Sequence, residues 1–282
     1  MKPDDRRRAA RYVAENHGIS ERRACHLARI HRSTFRYHSR RRAQEELRRR
    51  IVELAENRRR FGYRRLTILL RREGVLVNHK RVYRIYRAEG LSVRRRKRKR
   101  VSRSRQPAQL ATTAINEFWA MDFVSDGLAT GQRYRALTVV DVHSRESLRI
   151  EVDLSLPGAR VVRALNETTE IHGVPKRIIT DNGPKFTGLH LDQWARDDGV
   201  ELCFIQPGKP TQIAYNESFN GRFRDECLND NWFRNLAEAR DTIEAWRIDY
   251  NTNRPHSSLG NRSPAEFKRS LERQQRKLAG TG

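Results

Sequence analysis

Cysteine is nearly absent from this sequence. Cys25, Cys203 and Cys227 stand far apart, and no CxxC pair occurs. Neither a zinc site nor a dithiol redox motif is suggested, and a sparse, odd count fits a reducing cytoplasm. Long apolar runs are missing too. No stretch approaches the roughly 20 apolar residues a membrane helix needs. No apolar segment follows Met1-Lys2-Pro3-Asp4-Asp5, so no secretory leader and no membrane partner are expected. Sustained heptads are lacking, which argues against a coiled coil. Acidic residues are scarce over the first third. Residues 1–106 hold 36 Lys/Arg and 10 Asp/Glu (+26), leaving 23 and 24 (−1) for the rest of a chain whose net charge is +25. A solvated surface normally mixes signs. An excess concentrated in this way is the footprint of a polyanion, of which nucleic acid is the commonest. The near-neutral remainder suits a catalytic globular domain.

What is present in the first third is helical. Apolar Ala9, Ala10 and Val13 mark a first helix that ends at His17-Gly18. Ser20 is suited to cap Glu21–Ala28, and Ser33 a short helix after it. Residues 1–40 therefore read as a helix-turn-helix-like unit, with a plain helical hairpin as the alternative. Residues 41–91 form a second helical DNA-binding unit. Leu47, Ile51, Leu54 and Ala55 give one amphipathic helix, and Leu66, Leu69 and Leu70 another. Asn78 caps a third, which presents Lys80, Arg81, Arg84 and Arg87 outward as a recognition helix does. Residues 92–112 read as a flexible basic linker. Its unbroken run Arg94-Arg95-Arg96-Lys97-Arg98-Lys99-Arg100 repels itself and can track a DNA backbone. A nuclear-localisation signal is a weaker reading of the same run.

From about residue 115 the pattern changes. Segments 117–125, 134–142 and 147–152 alternate or run apolar, as strands of a meander do. A helix (159–172), a strand (175–180), a helix (189–198), a strand (200–205) and two helices (212–229, 236–250) follow. That order is the one expected of an RNase-H-like α/β core, placed here over residues 113–270, with a basic C-terminal tail at 271–282. Fold alone does not give function.

Three acids fall at telling places on that map. Asp122 lies mid-strand in Trp119-Ala120-Met121-Asp122-Phe123-Val124, where an uncompensated carboxylate is expensive. Asp181 follows the strand at 175–180, and Glu217 sits inside the helix after the strand at 200–205. Fifty-eight residues separate the first pair and 35 the second. Asp181-Asn182-Gly183 alone is also an ordinary turn, and Glu217 alone an ordinary solvent-facing residue. Together they suggest phosphodiester chemistry. Two metal ions about 3.5–4 Å apart activate a nucleophile and stabilise the leaving oxygen, and hard cations such as Mg²⁺ take oxygen ligands. Asp141 is a decoy, expected to support the site or a turn with Ser144 and Arg145. His172 and His256 are read as structural.

The sequence resembles the insertion-sequence-3 family of bacterial transposases, in particular the product of the second reading frame. That group shares an integrase-type catalytic core with retroviral integrases. The matching stretches are Trp119–Phe123, Thr180–Pro184, Lys209–Gln212, Glu217–Asn229, Tyr250-Asn251, Arg254–Gly260 and Ser263–Phe267. The resemblance covers nearly the whole chain.

It implies a fold of integrase type preceded by all-α helix-turn-helix units. It implies a triad of Asp122, Asp181 and Glu217 holding two Mg²⁺ ions, with Mn²⁺ able to substitute. It implies a basic residue seven positions after the glutamate, here Arg224, which shares a helix face with Glu217 and is suited to hold a DNA phosphate. A surface ion pair near Asp225 and Glu226 is the alternative for Arg224. Lys185 stands where the family often has an acid, and Ile213 and Asn216 also depart from the family pattern. With Lys209, Arg84, Lys80 and Arg94, Arg95, Arg96, Lys97 and Arg98, Lys185 and Arg224 make up the expected DNA-binding set. The implied activity is binding of terminal inverted repeats, followed by strand cleavage and strand transfer along a copy-out, paste-in route. Implied partners are double-stranded DNA at transposon ends and target, further copies of the chain, and the upstream-frame protein or a frameshift fusion with it. A cytoplasmic, nucleoid-associated location follows. Two other functions fit parts of the sequence: an inert DNA-binding regulator of transposition, favoured by Lys185, Ile213 and Asn216, and an RNase-H-type nuclease.

Overall fold

A computed structural model describes residues 3–37, 45–92, 112–181, 189–204 and 214–279. The chain divides into two compact units, residues 1–49 and 50–282.

The first unit holds α1 (Pro3–His17), α2 (Glu21–Leu27) and α3 (Arg32–Arg36). Small side chains let these helices approach: Ala10, Ala24 and Cys25 are buried. Ser20 caps α2 by accepting from the Arg23 N–H, and Glu21 takes Arg32 and Arg36. α4 (Glu45–Asn57) crosses the division. The division falls within the segment expected as the second helical unit.

In the second unit, α5 (Tyr63–Arg72) and α6 (His79–Ala88) pair through Leu66, Leu70, Val82 and Tyr86. Asn78 caps α6 by accepting from the Lys80 N–H at 2.9 Å. Lys80, Arg84 and Arg87 are exposed along it, as the sequence leads one to expect.

Strands β1 (Phe118–Gly127), β2 (Arg133–Asp141), β3 (Ser147–Asp153), β4 (Arg177–Thr180) and β5 (Glu201–Phe204) build one sheet in the order β3-β2-β1-β4-β5. β1, β2 and β3 are antiparallel neighbours, while β4 and β5 run parallel to β1. This is the RNase-H-like α/β topology. Both faces are covered, as a sheet with parallel strands requires. Trp119, Met121, Leu137 and Ile178 pack on one side with α7 (Gly158–His172) and α8 (Leu189–Asp197). Val124, Tyr134 and Ala136 pack on the other with Phe219 and Phe223 of α9 (Ala214–Glu226) and Ile243 and Tyr250 of α10 (Leu236–Thr252).

One edge of the sheet, β3, is covered by side chains of α10. Asn251 accepts from the Ser147 N–H and donates to its carbonyl, both at 2.9 Å. Arg247 donates to the Ser147 and Leu148 carbonyls and Arg240 to that of Val152. Those groups would otherwise invite another strand.

A helix not expected from the sequence, α11 (Pro264–Ala279), runs through the boundary placed at 270. Its start is a capping box: the Ser263 N–H donates to Glu266 at 2.7 Å, and the Glu266 N–H returns to Ser263 at 3.3 Å. Pro264 takes the first helical position, where a missing N–H costs nothing.

Candidate active site

Alternation along β1 decides which way Asp122 points. Trp119, Met121 and Phe123 belong to the cluster under α7 and α8. Ala120 and Val124 belong to clusters on the opposite face. Asp122 has their parity, so it faces α9 and interrupts an apolar row. Its carboxylate is anchored twice. One oxygen accepts from the Phe123 N–H and the other from Asn220 Nδ2, both at 2.7 Å. Thr138, directly across on β2, donates to the Asp122 carbonyl and to Asn220 Oδ1, each at 3.1 Å. Asn216, one turn earlier on α9, donates to the Met121 carbonyl at 3.2 Å. Two asparagines thus stitch α9 to β1. Asn216, which the sequence marks as a departure, has a structural task.

Burial pushes the Asp122 carboxyl above its ordinary range, and the negative charge of Asp181 pushes it further. The Phe123 N–H, Asn220 and the positive charge of Arg224 oppose that shift.

Asp181 is exposed and follows β4 directly. The parallel register runs Phe118↔Arg177, Trp119↔Ile178, Ala120↔Ile179. Continued by two residues, it sets Asp181 alongside Asp122, on strands about 4.8 Å apart. The electrostatic effect of Asp181 on Asp122 agrees with this placement. Glu217 is exposed in the first turn of α9. Among the described residues no three acidic, His or Cys side chains gather closely enough to hold a metal ion. The fold therefore brings Asp122 and Asp181 together and carries Glu217 on the adjoining helix without gathering it with them.

The donor set fits a hard divalent cation. Each Asp122 oxygen accepts one hydrogen bond and keeps lone-pair capacity. A carboxylate such as Asp122, whose proton affinity burial and a neighbouring negative charge both raise, is relieved by a cation, and an Asn that orients a carboxylate is a common outer partner of a metal ligand.

Arg224 is exposed and forms no ion pair or hydrogen bond with the described residues. Glu226 pairs with Arg254 and Arg65 instead. Lys80 and Arg84 lie on the open face of α6. Lys185, Lys209, Arg94, Arg95, Arg96, Lys97, Arg98 and Ile213 lie outside the described residues.

Asp141 supports a turn, as expected. It is buried and accepts from the Ser144 N–H at 2.6 Å, the Ser144 hydroxyl at 2.7 Å and the Asn116 N–H at 2.9 Å. Arg145 adopts a positive φ of 63°, and its guanidinium lies 3.9 Å from the centre of the Tyr215 ring. Burial, with Arg254 and Arg222 adding to it, pushes His256 down to about 2. It stays neutral and is no general base near pH 7.

Two Integrase core domain models match residues 112–210 and 198–264, and an HTH-like domain model matches residues 40–100. The uncharacterized 31.7 kDa protein of insertion element IS407 from Burkholderia multivorans is 53% identical over 257 residues, 90% of this chain and 92% of that protein. The uncharacterized 39.2 kDa protein of insertion element IS476 from Xanthomonas euvesicatoria is 49% identical over 277 residues, 98% of this chain and 80% of the relative. The chain belongs to the insertion-sequence-3 family of transposases. A more distant relative, the transposase for insertion sequence element IS904 of Lactococcus lactis, shares 28% identity over 76% of this chain and 89% of its own. Among solved structures, the HTLV-2 integrase catalytic core domain in complex with magnesium has 16% identity and a TM-score of 0.45, covering 54% of this transposase and 95% of that chain. The HTH-like match falls on the segment that carries α4, α5 and α6. No helix among the described residues of the transposase is long and apolar enough to cross a membrane.

Proposed function

We propose that this transposase cuts and joins DNA strands with Asp122, Asp181 and Glu217 as its catalytic carboxylates and the ligands of two Mg²⁺ ions, which Mn²⁺ can replace. The observation that carries this reading is Asp122. It is a carboxylate on the central strand, fixed by Asn220 of the helix that bears Glu217 and raised by burial and then by the charge of Asp181. When bound, the metals would lower the proton affinity of the attacking water and neutralise charge on the leaving oxygen.

The chain's own residues do the rest. Asn220 and the Phe123 N–H orient Asp122. Arg224 takes a phosphate of the DNA end. Lys80 and Arg84 on α6, with Arg94, Arg95, Arg96, Lys97 and Arg98 after it in sequence and with Lys185 and Lys209, grip duplex DNA at transposon ends and target. Water attacks one phosphodiester at the end and leaves a 3′-OH. That hydroxyl attacks a second phosphodiester, expelling the next 3′ oxygen, and the route is copy-out, paste-in through a circle. Paired ends require more than one copy of the chain.

Glu217→Gln tests the assignment, with the upstream-frame protein present and absent. Mg²⁺-dependent nicking of end-containing duplex disappears, while a gel shift with the same duplex persists. Undiminished nicking by this variant refutes the triad. Wild-type binding with no nicking makes the chain a regulator instead.

A further inference from the structure

The helical segment that matches the HTH-like model is held to the catalytic core by arginines that reach three different elements. Phe61, in the turn between α4 and α5, is buried. The guanidinium carbons of Arg58, Arg65 and Arg254 lie 5.8, 5.1 and 5.8 Å from the centre of its ring. Arg58 grips the Asp249 carboxylate of α10 with both terminal nitrogens. Arg65 reaches Glu226 of α9 at 3.5 Å. Arg72 donates to the Asn253 carbonyl at 2.7 Å and to Glu266 of α11 at 2.6 Å. Glu226 is held from behind by Arg254, whose Nε donates at 2.7 Å and whose side chain is only 2% exposed. One exposed pair contributes little, but bidentate, partly buried pairs joined in a network hold a defined geometry.

Glu226 matters because of where it lies. It is the last residue of α9, nine positions after Glu217. Contacts from α5 therefore end on the helix that bears the proposed third carboxylate, whose other half is stitched to β1 by Asn216 and Asn220. Nothing in the family resemblance assigns a task to Arg58, Arg65, Asp249 or Glu226.

We propose that this arginine–carboxylate network, Arg58–Asp249 and Arg65–Glu226–Arg254 around Phe61, fixes the α5–α6 reading unit relative to Glu217 and so sets where the DNA end is cut. These are positioning residues: they act through α9 and α10, not on the DNA. The inference rests on the catalytic reading above.

Arg58 and Asp249 are neither among the three acids nor on α6, and they face each other, so their charges can be exchanged. The test uses full-length chain, Mg²⁺ and a labelled duplex carrying the element's end. It reads nicking rate, cut position, binding by gel shift and melting temperature for Arg58→Glu, Asp249→Arg and the two combined. Each single reversal slows end nicking by roughly tenfold, in line with coupling energies between contacting residues. It also spreads the cut over neighbouring positions and lowers melting by no more than the loss of one pair, while binding stays close to wild type. The combined variant regains both rate and position. Arg58→Gln serves where a reversed charge prevents folding, and it also spreads the cut. Folded variants that cut at the wild-type rate and place overturn the proposal. So does a folded double reversal that stays impaired. A wild-type chain that binds but never nicks points to the catalytic reading as the failure.

Discussion

Replacing Asn220 with Ala removes the one side chain that holds both the Asp122 carboxylate and the Thr138 hydroxyl. Thr138 retains the Asp122 carbonyl as an acceptor, so it is not orphaned. The Asp122 bond is the larger loss, because it is short at 2.7 Å and its acceptor is charged. Hydrogen bonds to charged groups contribute about 1.5–3 kcal/mol, against about 1 kcal/mol for neutral pairs. Asn220→Ala should therefore lower unfolding free energy by about 2 kcal/mol at pH 7 in a metal-free buffer.

The pH dependence has a definite sign. Asp122's carboxyl is raised in the fold, chiefly by burial and then by Asp181, and Asn220 is one of the groups that hold it down. Its folded-state stability contribution is fully present below the ordinary carboxylate range and is lost as pH rises through the raised value. Removing Asn220 raises the carboxyl further. The destabilisation should thus be largest where Asp122 is ionised and should shrink towards that of a neutral hydrogen bond in acid. The acidic limb of the nicking profile should move to higher pH. Urea denaturation at several pH values reads the first effect, and single-turnover nicking reads the second. A loss equal at all pH values, with an unmoved acidic limb, refutes the idea that Asn220 acts on the Asp122 charge.

Two other substitutions test neighbouring parts of the account. Asp122→Asn removes the charge that burial and Asp181 disfavour but leaves one acceptor oxygen where two donors converge, so nicking should vanish, and the melting temperature of the metal-free protein relative to wild type should rise from acid to pH 7. A difference from wild type that is flat or falls with pH contradicts this. Arg254→Ala strips a nearly fully buried guanidinium from Glu226. It should cost about 3–5 kcal/mol in chemical denaturation, the range for breaking a buried pair. A loss under about 1 kcal/mol, the value of an exposed pair, would show that Arg65 alone holds Glu226.

Much of the fold is legible in the sequence for physical reasons. The alternation in β2 and β3 and the apolar run around Asp122 survive into the sheet, because a period of two on a covered face leaves little choice of register. Helix ends marked by Ser20 and Asn78 are legible because a side-chain cap is a local property. α11 is not, since its many charged and polar residues read as a basic tail, although Ser263-Pro264-Ala265-Glu266 carries the capping signal. The placing of Asp122 and Asp181 on neighbouring strands follows from the strand order, but the parts played by Asn220 and Thr138 do not. Their roles depend on a helix and a hairpin, distant in sequence, meeting over one carboxylate. Asn216 misleads for the same reason: its partner is a backbone carbonyl of Met121, which no side-chain pattern reveals. The Arg254–Gly260 motif is a packing element, with Arg254 and His256 buried, and nothing in its spacing distinguishes that from chemistry.

The central claim is that three carboxylates from β1, the end of β4 and α9 hold metal together. Anomalous scattering from crystals of the wild-type chain grown with an end-containing duplex and Mn²⁺ tests it most directly. The account predicts peaks whose protein ligands are Asp122, Asp181 and Glu217. Peaks that avoid all three acids, or a site that stays empty while DNA is bound, would contradict it.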